Sequence, residues 1–554
     1  MELDWPVLVP GDATELEWHI EANEIGGPAR HSLKATQRVL PVLPVRVQSS
    51  ALYRLDKQMD VEIAPPEGAL TGEVRVTFAA SLTVGQGAMR DHMRRYPYTC
   101  LEQQVFSAVA TLDGQAWDGL METLPGQLDE RGLVRIFPEL AEGDVALTAY
   151  VLAISHEAGW QLPADAHARM LKSLEDYVSG RIELAARPWL DAQARLALRI
   201  NALEALARYG RATAEQLTTV KVEPETWPTP TLVDWIHLLK HSPDLPGRDT
   251  ALKSALAVRK ARMYYTGRRL TFGREAHEQY WWLLSSPDTQ GVRALLAVID
   301  LPDWQPDVPW LVLGVLARQS RGHWNSTTAN AWGALAMAQY TRLYEAQRPN
   351  GRSFAWLGRE GRFVDWQATP RGATASLPLL SDDAELKLMH QGAGQPYVTL
   401  TTLAAVPLKA PVQRGYRVTR EVQAIEQRHP GRYSRGDVLR VRLTIAGQTD
   451  MGWVVVEDPI PAGASILGSG LKRDSALHTQ AVDRQGLARP AWEERLHEDY
   501  RVYFEYLPRG THSQEYTLRL NNDGLFRLPP TRVEAMYAPE LHGETPHAPL
   551  EIAP

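Results

Sequence analysis

The chain contains a single cysteine, Cys100, followed three residues later by Gln103 in the segment Tyr96-Pro97-Tyr98-Thr99-Cys100-Leu101-Glu102-Gln103. Pro97 closes an extended stretch, and helical spacing of apolar residues begins just after Cys100. One turn of helix sets residues three apart on the same face. A helix N-terminus lowers a thiol pKa and so supplies thiolate. Attack of that thiolate on the Gln103 side-chain amide expels ammonia and closes an internal thioester. Because the pair is held in place, the reaction is effectively unimolecular. Glutamine suits the role because its carbonyl is uncharged, whereas a carboxylate would repel the thiolate.

A thioester is an activated acyl group. An amine or hydroxyl that reaches it becomes covalently attached to residue 103, once per molecule. Water competes for the same carbon, so the bond survives only in a dry, covered site. Tyr96 and Tyr98 are the expected local cover. Glu102 is expected to cap or orient the helix start rather than act as a base.

The elements that must position this pair follow from periodicity. Leu16, Trp18, Ile20 and Ala22 alternate with polar residues, as do Val74, Val76 and Phe78. Period two predicts sheets with one buried face. The Pro-interrupted run from Val39 to Val47 predicts an edge strand or connector. From about residue 88 the period lengthens. Leu147, Tyr150, Val151 and Ile154 mark one amphipathic helix, and Leu196, Ile200, Leu203 and Ala207 another. Roughly a dozen helical segments are expected between about 100 and 343, with Pro punctuation at Leu162-Pro163, Trp227-Pro228 and Ser286-Pro287 and no convincing strand among them. So large an all-helical block suits paired helices in a solenoid or closed ring. Alternation returns after Gly351, at Tyr397 to Leu403, at Leu439, Val441, Leu443 and Ile445, and at Val502, Phe504 and Tyr506, and it predicts a terminal β-sandwich.

The 554 residues are too many for one core. A hydrophobic content of 44% with 23% charged residues is ordinary for a soluble globular protein, and a formal charge of −7 gives no reason to expect nucleic acid. No apolar run approaches the roughly 20 residues of a membrane span, and Met1-Glu2-Leu3-Asp4-Trp5-Pro6 lacks the regions of a signal peptide.

The motif Tyr-Pro-Tyr-x-Cys-Leu-Glu-Gln resembles the thioester motif of the α2-macroglobulin family, especially its bacterial members. Further resemblance lies in Gly143-Asp144-Val145-Ala146-Leu147-Thr148-Ala149-Tyr150-Val151-Leu152, in Trp324-Asn325-Ser326-Thr327-Thr328-Ala329-Asn330, in Val455-Val456-Glu457-Asp458-Pro459-Ile460-Pro461-Ala462-Gly463 and in Gly524-Leu525-Phe526-Arg527-Leu528-Pro529-Pro530 through Glu534-Ala535-Met536-Tyr537. The chain departs from the family at Thr99, where Gly is usual. The resemblance implies a multidomain α+β fold: an α/α-toroid thioester domain inserted in a CUB-like β domain, then a macroglobulin-like β-sandwich. The implied boundaries are 1–35 for the end of a macroglobulin-like domain or linker, 36–87 and 348–411 for the CUB-like halves, 88–347 for the helical domain and 412–554 for the sandwich. It also implies that the sandwich locks the thioester, with Met536 and Tyr537 opposite Tyr96. The implied function is that of the C-terminal part of a broad-spectrum protease inhibitor, not an enzyme: a periplasmic, monomeric, single-use trap attacked by protease lysine amines. No cofactor or metal is needed, and membrane attachment would come only from a lipid anchor outside this chain.

Two other functions share some of these features. One is a thioester adhesin whose targets carry hydroxyls. The other is an α/α-toroid hydrolase or cyclase, which needs convergent acidic residues on the inner helices. His156 and His167 lie in the general region of the acyl-relay histidine of complement-type relatives, without a motif match. His237 and His241 have i, i+4 spacing but no intervening carboxylate of the metalloprotease kind. Asp382-Asp383 is expected to be a polar turn, and the densest pair of the seventeen tryptophans, Trp281-Trp282, is expected to fill gaps between packed faces.

Overall fold

The computed structural model describes residues 15–39, 45–98, 100–185, 187, 189–218, 220, 222–267, 269–272, 280–379, 384–468 and 488–554. Thr99, Asp382-Asp383 and most of the Pro-interrupted run after Val39 lie outside the described residues.

The first strands, Glu15–Asn23 and Arg30–Arg38, pair only with each other in an antiparallel hairpin. Alternation predicts a buried face here, yet Leu33 is exposed and Leu16, Trp18 and Ile20 are only half-buried. Two strands alone have no second layer to bury a face against.

Two four-stranded antiparallel sheets follow, and both draw strands from either side of the helical block. In one, Thr71–Ala79 lies between Gly372–Pro378 and Tyr397–Ala405, with Arg46–Arg54 outermost. In the other, Gln58–Ile63, Ala384–Gln391, Arg352–Leu357 and Glu360–Asp365 pair in that order. Val74, Val76, Phe78, Leu386, Leu388 and Val398 form their shared core. Residues 82–344 are thus a helical insertion between strands of one β unit.

Within the insertion, Leu101–Thr111, Val145–Ala158, Ala192–Arg208, Thr229–Lys240, Pro287–Val298 and Thr327–Tyr344 pack each on the next, and the last packs on the first. The helices Gly114–Thr123, Ala164–Val178, Arg248–Ala261 and Val308–Leu316 lie against them. Side-chain caps fix several starts. Asp144 accepts from Leu147 N–H at 2.7 Å, Asp191 from Ala194 N–H at 2.8 Å, and Ser326 caps the final helix. The prolines at 163, 228 and 287 each stand at a helix start, as the punctuation predicts.

Two expectations change. The helix Val145–Ala158 is buried from Val145 to Ser155 on every side, so its apolar spacing marks a central position and not one amphipathic face. A short hairpin, Met263–Thr266 with Arg269–Phe272, interrupts the helices. Its four-residue strands expose Tyr264 and Tyr265 and are too short to show a period. Among the described residues no helix is long and apolar enough to cross a membrane.

The C-terminal unit has a six-stranded sheet centred on Thr531–Ala535, Met451–Pro459 and Asp499–Leu507, and a four-stranded sheet built on Tyr416–Glu426, Val438–Gly447 and Gly510–Arg519. Val441, Leu443, Ile445, Val454, Val456, Val502 and Val533 are fully buried among these strands. The opposite face of the six-stranded sheet rests on the helical insertion. Trp281 packs on Gly452, and Arg187 pairs with Glu505. A Cβ at Gly452 would clash with the Trp281 ring. Gly452→Ala is therefore expected to weaken this docking by roughly 1–3 kcal/mol, the usual cost of overpacking. Differential scanning calorimetry checks it: the unfolding midpoint should fall or split in two, and an unchanged profile would show that the ring has room to move.

Candidate functional site

Cys100 is the N-cap residue of the helix Leu101–Thr111, with extended backbone at φ −60°, ψ 152°. Glu102 and Gln103 occupy the first turn, and all three side chains are buried, at 2%, 1% and 1% exposure. The Leu101 N–H donates to Ile136 C=O at 3.2 Å, which ties this end of the helix to the loop before Phe137. The Gln103 backbone N–H lies near the Cys100 sulfur without forming a capping hydrogen bond. Cysteine and glutamine thus both lie, buried, at one helix terminus.

The protonation state differs from the sequence expectation. Burial pushes the Cys100 thiol well up, and the neighbouring Glu102 carboxyl adds to the shift. The amide near the sulfur acts the other way and is outweighed. A neutral, dry site is hostile to thiolate but accommodates an uncharged thioester.

Glu102 is the acidic residue of the first turn. Its Oε1 accepts from Gln103 Nε2 at 3.2 Å. Burial raises its carboxyl to about 8, partly countered by the Tyr537 hydroxyl. That hydroxyl faces Glu102 without reaching regular hydrogen-bond geometry, and the Tyr150 hydroxyl is likewise buried without a partner. Among the described residues Gln103 Oε1 also lacks a partner. An orphaned buried amide oxygen costs roughly 1–3 kcal/mol. A thioester carbonyl accepts hydrogen bonds more weakly, so conversion would relieve part of that cost.

Above the pair lies a layer of aromatic rings. Tyr96 and Tyr98 meet edge-to-face at 5.2 Å, and Tyr98 meets Tyr503 of the C-terminal sheet at 6.1 Å. Phe137 contacts Tyr503, Trp492 and Trp453 at 5.1, 5.7 and 6.1 Å. Met536 and Tyr537 are buried at the turn between Thr531–Ala535 and Ala538–Thr545, and Met536 N–H donates to Trp453 C=O at 2.9 Å. Arg501 lies 5.8 Å from the Tyr98 ring centre and donates to Pro97 C=O at 2.9 Å. It is held there by Asp499, Glu494 and Glu457. Tyr96, Tyr98, Met536 and Tyr537 are therefore all placed at the buried junction of the two units. Arg501, Tyr503 and Phe137 were missed from sequence. The period-two pattern marks Val502, Phe504 and Tyr506 as the apolar face of that strand and hides the use of Arg501 and Tyr503 for docking, while Tyr506 itself meets Trp189 and Trp281 of the insertion at 4.7 and 6.3 Å.

The remaining candidates sit elsewhere. His156 and His167 gather on Tyr209, with ring centres at 5.3 and 4.6 Å, rather than on Cys100. His237 Nε2 engages Arg293 C=O at 2.9 Å while Nδ1 faces Arg208. The inner acidic residues are engaged too: Glu204 and Glu157 pair with Arg208, and Asp234 with Arg293. A toroid hydrolase or cyclase would need such carboxylates free. Trp281 fills the interface at Gly452, the packing role expected of it.

Residues 415–540 match the bacterial alpha-2-macroglobulin MG10 domain model. The chain is 23% identical over 434 residues to an alpha-2-macroglobulin homolog of Nostoc, covering 74% of this chain and 22% of that protein. Its fold matches native Escherichia coli alpha-2-macroglobulin spanning domain MG7 to the C-terminus, at TM-score 0.72 and 18% identity, over 98% of this chain and 87% of that one. It also matches Salmonella alpha-2-macroglobulin reacted with methylamine, at TM-score 0.72 and 17% identity, over 98% of this chain and 36% of that one. The C-terminal β unit thus belongs to a recognised class of bacterial domain. The chain as a whole is similar to bacterial alpha-2-macroglobulins, and its fold matches the region of the Escherichia coli protein from domain MG7 to the C-terminus.

A histidine pair borders the aromatic layer. His92 and His323 stack at 3.6 Å, nearly parallel, and His92 meets Tyr96 edge-on at 5.7 Å. Burial, then His323, then Arg532 lower His92 to about 3. An unfolded histidine titrates near 6.5. The unfolded chain therefore takes up a proton that the folded one refuses, and stability is lost as pH falls from about 6.5 towards 3. His92→Gln should flatten part of this acid sensitivity in a Tm-against-pH series; parallel curves for wild type and variant would show that the stack does not control it.

Proposed function

We propose that Cys100 and Gln103 form an internal thioester and that this chain is the C-terminal part of a bacterial alpha-2-macroglobulin-like protease inhibitor. The observation that carries the reading is the shared burial of both side chains at one helix terminus, beneath a cover supplied by a separate β unit. In this reading, cleavage elsewhere in the full protein shifts the C-terminal unit, and Gln103 then acylates a lysine amine of the attacking protease. Each molecule acts once. The helical insertion serves as the α/α-toroid thioester domain (88–347), the split β unit as the CUB-like domain (36–87 and 348–411) and residues 412–554 as the macroglobulin-like lock, acting in the periplasm. Support comes from the MG10 match, from the shared fold and from a Salmonella relative that has been reacted with methylamine.

Intact mass and thiol titration test the bond. The chain should weigh one ammonia less than its sequence and show no free thiol, then release one thiol as methylamine adds. A fully reactive thiol at full mass would refute the reading. The cover is tested separately. Tyr537→Ala opens the buried junction, so methylamine should release the thiol at least several-fold faster; an unchanged rate would mean that the barrier lies elsewhere.

A further inference from the structure

Beyond the thioester itself, and resting on that reading, lies the question of how the bond is made. A neutral thiol is a poor nucleophile and an amide nitrogen is a poor leaving group. Closing the ring therefore needs a group that takes a proton from sulfur and one that gives a proton to nitrogen. The Cys100 thiol is not ionised by its surroundings, so the helix terminus alone does not supply the first requirement.

We infer that Glu102 is the acid–base catalyst of thioester formation, passing the Cys100 proton to the Gln103 nitrogen. Its Oε1 lies 3.2 Å from Gln103 Nε2, within proton-transfer reach of the atom that must leave. The carboxyl is 1% exposed, so water does not substitute for it. Among the described residues no cation holds it ionised: it is surrounded by Cys100, Gln103, the Tyr96, Tyr150 and Tyr537 hydroxyls and the Asp144 carboxyl. With a pKa of about 8, both of its protonation states are accessible near neutral pH, the condition for exchanging protons in both directions. The unpartnered, buried Tyr150 and Tyr537 hydroxyls leave donors available to the carboxylate as it forms.

The step balances. A bond forms between Cys100 Sγ and Gln103 Cδ while the Cδ–Nε2 bond breaks. Glu102 gives its proton to the departing nitrogen, which leaves as ammonia, and the thiol proton restores the carboxyl. Glu102 ends as it began, and no other reactant is consumed.

The test follows ring closure in the full chain as it refolds under reducing conditions, reading ammonia loss by mass and thiol loss by titration. Wild type should close, and its rate should fall as pH rises above about 8, where the carboxyl has no proton to give. Glu102→Gln keeps the shape and removes the proton relay. It should close roughly a hundred-fold more slowly or not at all, while its circular-dichroism spectrum stays that of the folded chain. Glu102→Asp should recover a measurable, pH-dependent rate; if Glu102→Gln fails to fold, this variant decides. Closure of Glu102→Gln at the wild-type rate, or of Glu102→Asp at the wild-type rate with no pH dependence, overturns the assignment and leaves the thioester reading intact. A wild-type chain that keeps both its thiol and its ammonia overturns both.

Discussion

Exclusion of water from Cys100 and Gln103 is the constraint on which the rest of the arrangement depends. Neither side chain can be covered by its own helix, because a helix terminus points outward. The first turn is therefore sealed from three directions: by neighbouring helices such as Val145–Ala158, by Phe137 in the loop before it, and by the six-stranded sheet of the C-terminal unit. Burial then sets the chemistry. It keeps the thiol neutral, lifts the Glu102 carboxyl to about 8 and leaves the Gln103 amide oxygen without a partner among the described residues. Each of these penalises the open Cys–Gln form more than a joined, uncharged one.

The composition of the cover bears on how it could be removed. The C-terminal unit meets the helices through aromatic rings and the Arg187–Glu505 ion pair, and it carries further pairs of its own at that face. Arg501 is held by three carboxylates, and Arg532 pairs with Glu534 and Glu544. Buried pairs of this kind contribute little net stability because the charges lose hydration, while they constrain geometry closely. Such a face holds one register firmly, and on separation its charges recover their water. It suits an interface that must be exact while closed and must still come apart.

Much of this was legible in the sequence, and what was not has identifiable reasons. The start of a helix at Cys100, with Gln103 in its first turn, follows from helical spacing. The order of β unit, helical insertion, β unit and second β unit follows from the change in period near residues 88 and 351. Helix starts at Pro163, Pro228 and Pro287 follow from punctuation. The hairpin at 263–272 was missed because four residues carry no period. The protonation of Cys100 was misjudged because local helix geometry is visible in a sequence and burial by a segment 400 residues away is not. For the same reason Arg501 and Tyr503 passed as the polar side of a strand, although that side is the one laid against the site.

Phe137 gives the docking a mechanical aspect. Its ring is gripped by Trp453, Trp492 and Tyr503 of the C-terminal unit, while the carbonyl of the preceding Ile136 accepts the Leu101 N–H beside Cys100. One short segment is thus fastened at its side chain to the cover and at its backbone to the first turn of the reactive helix. A pull on the cover is transmitted along two adjacent residues to the helix end. Withdrawal would therefore do more than admit solvent: it would tug at the very turn that holds Cys100 and Gln103 in register, so exposure and loosening of the pair are linked in a single displacement.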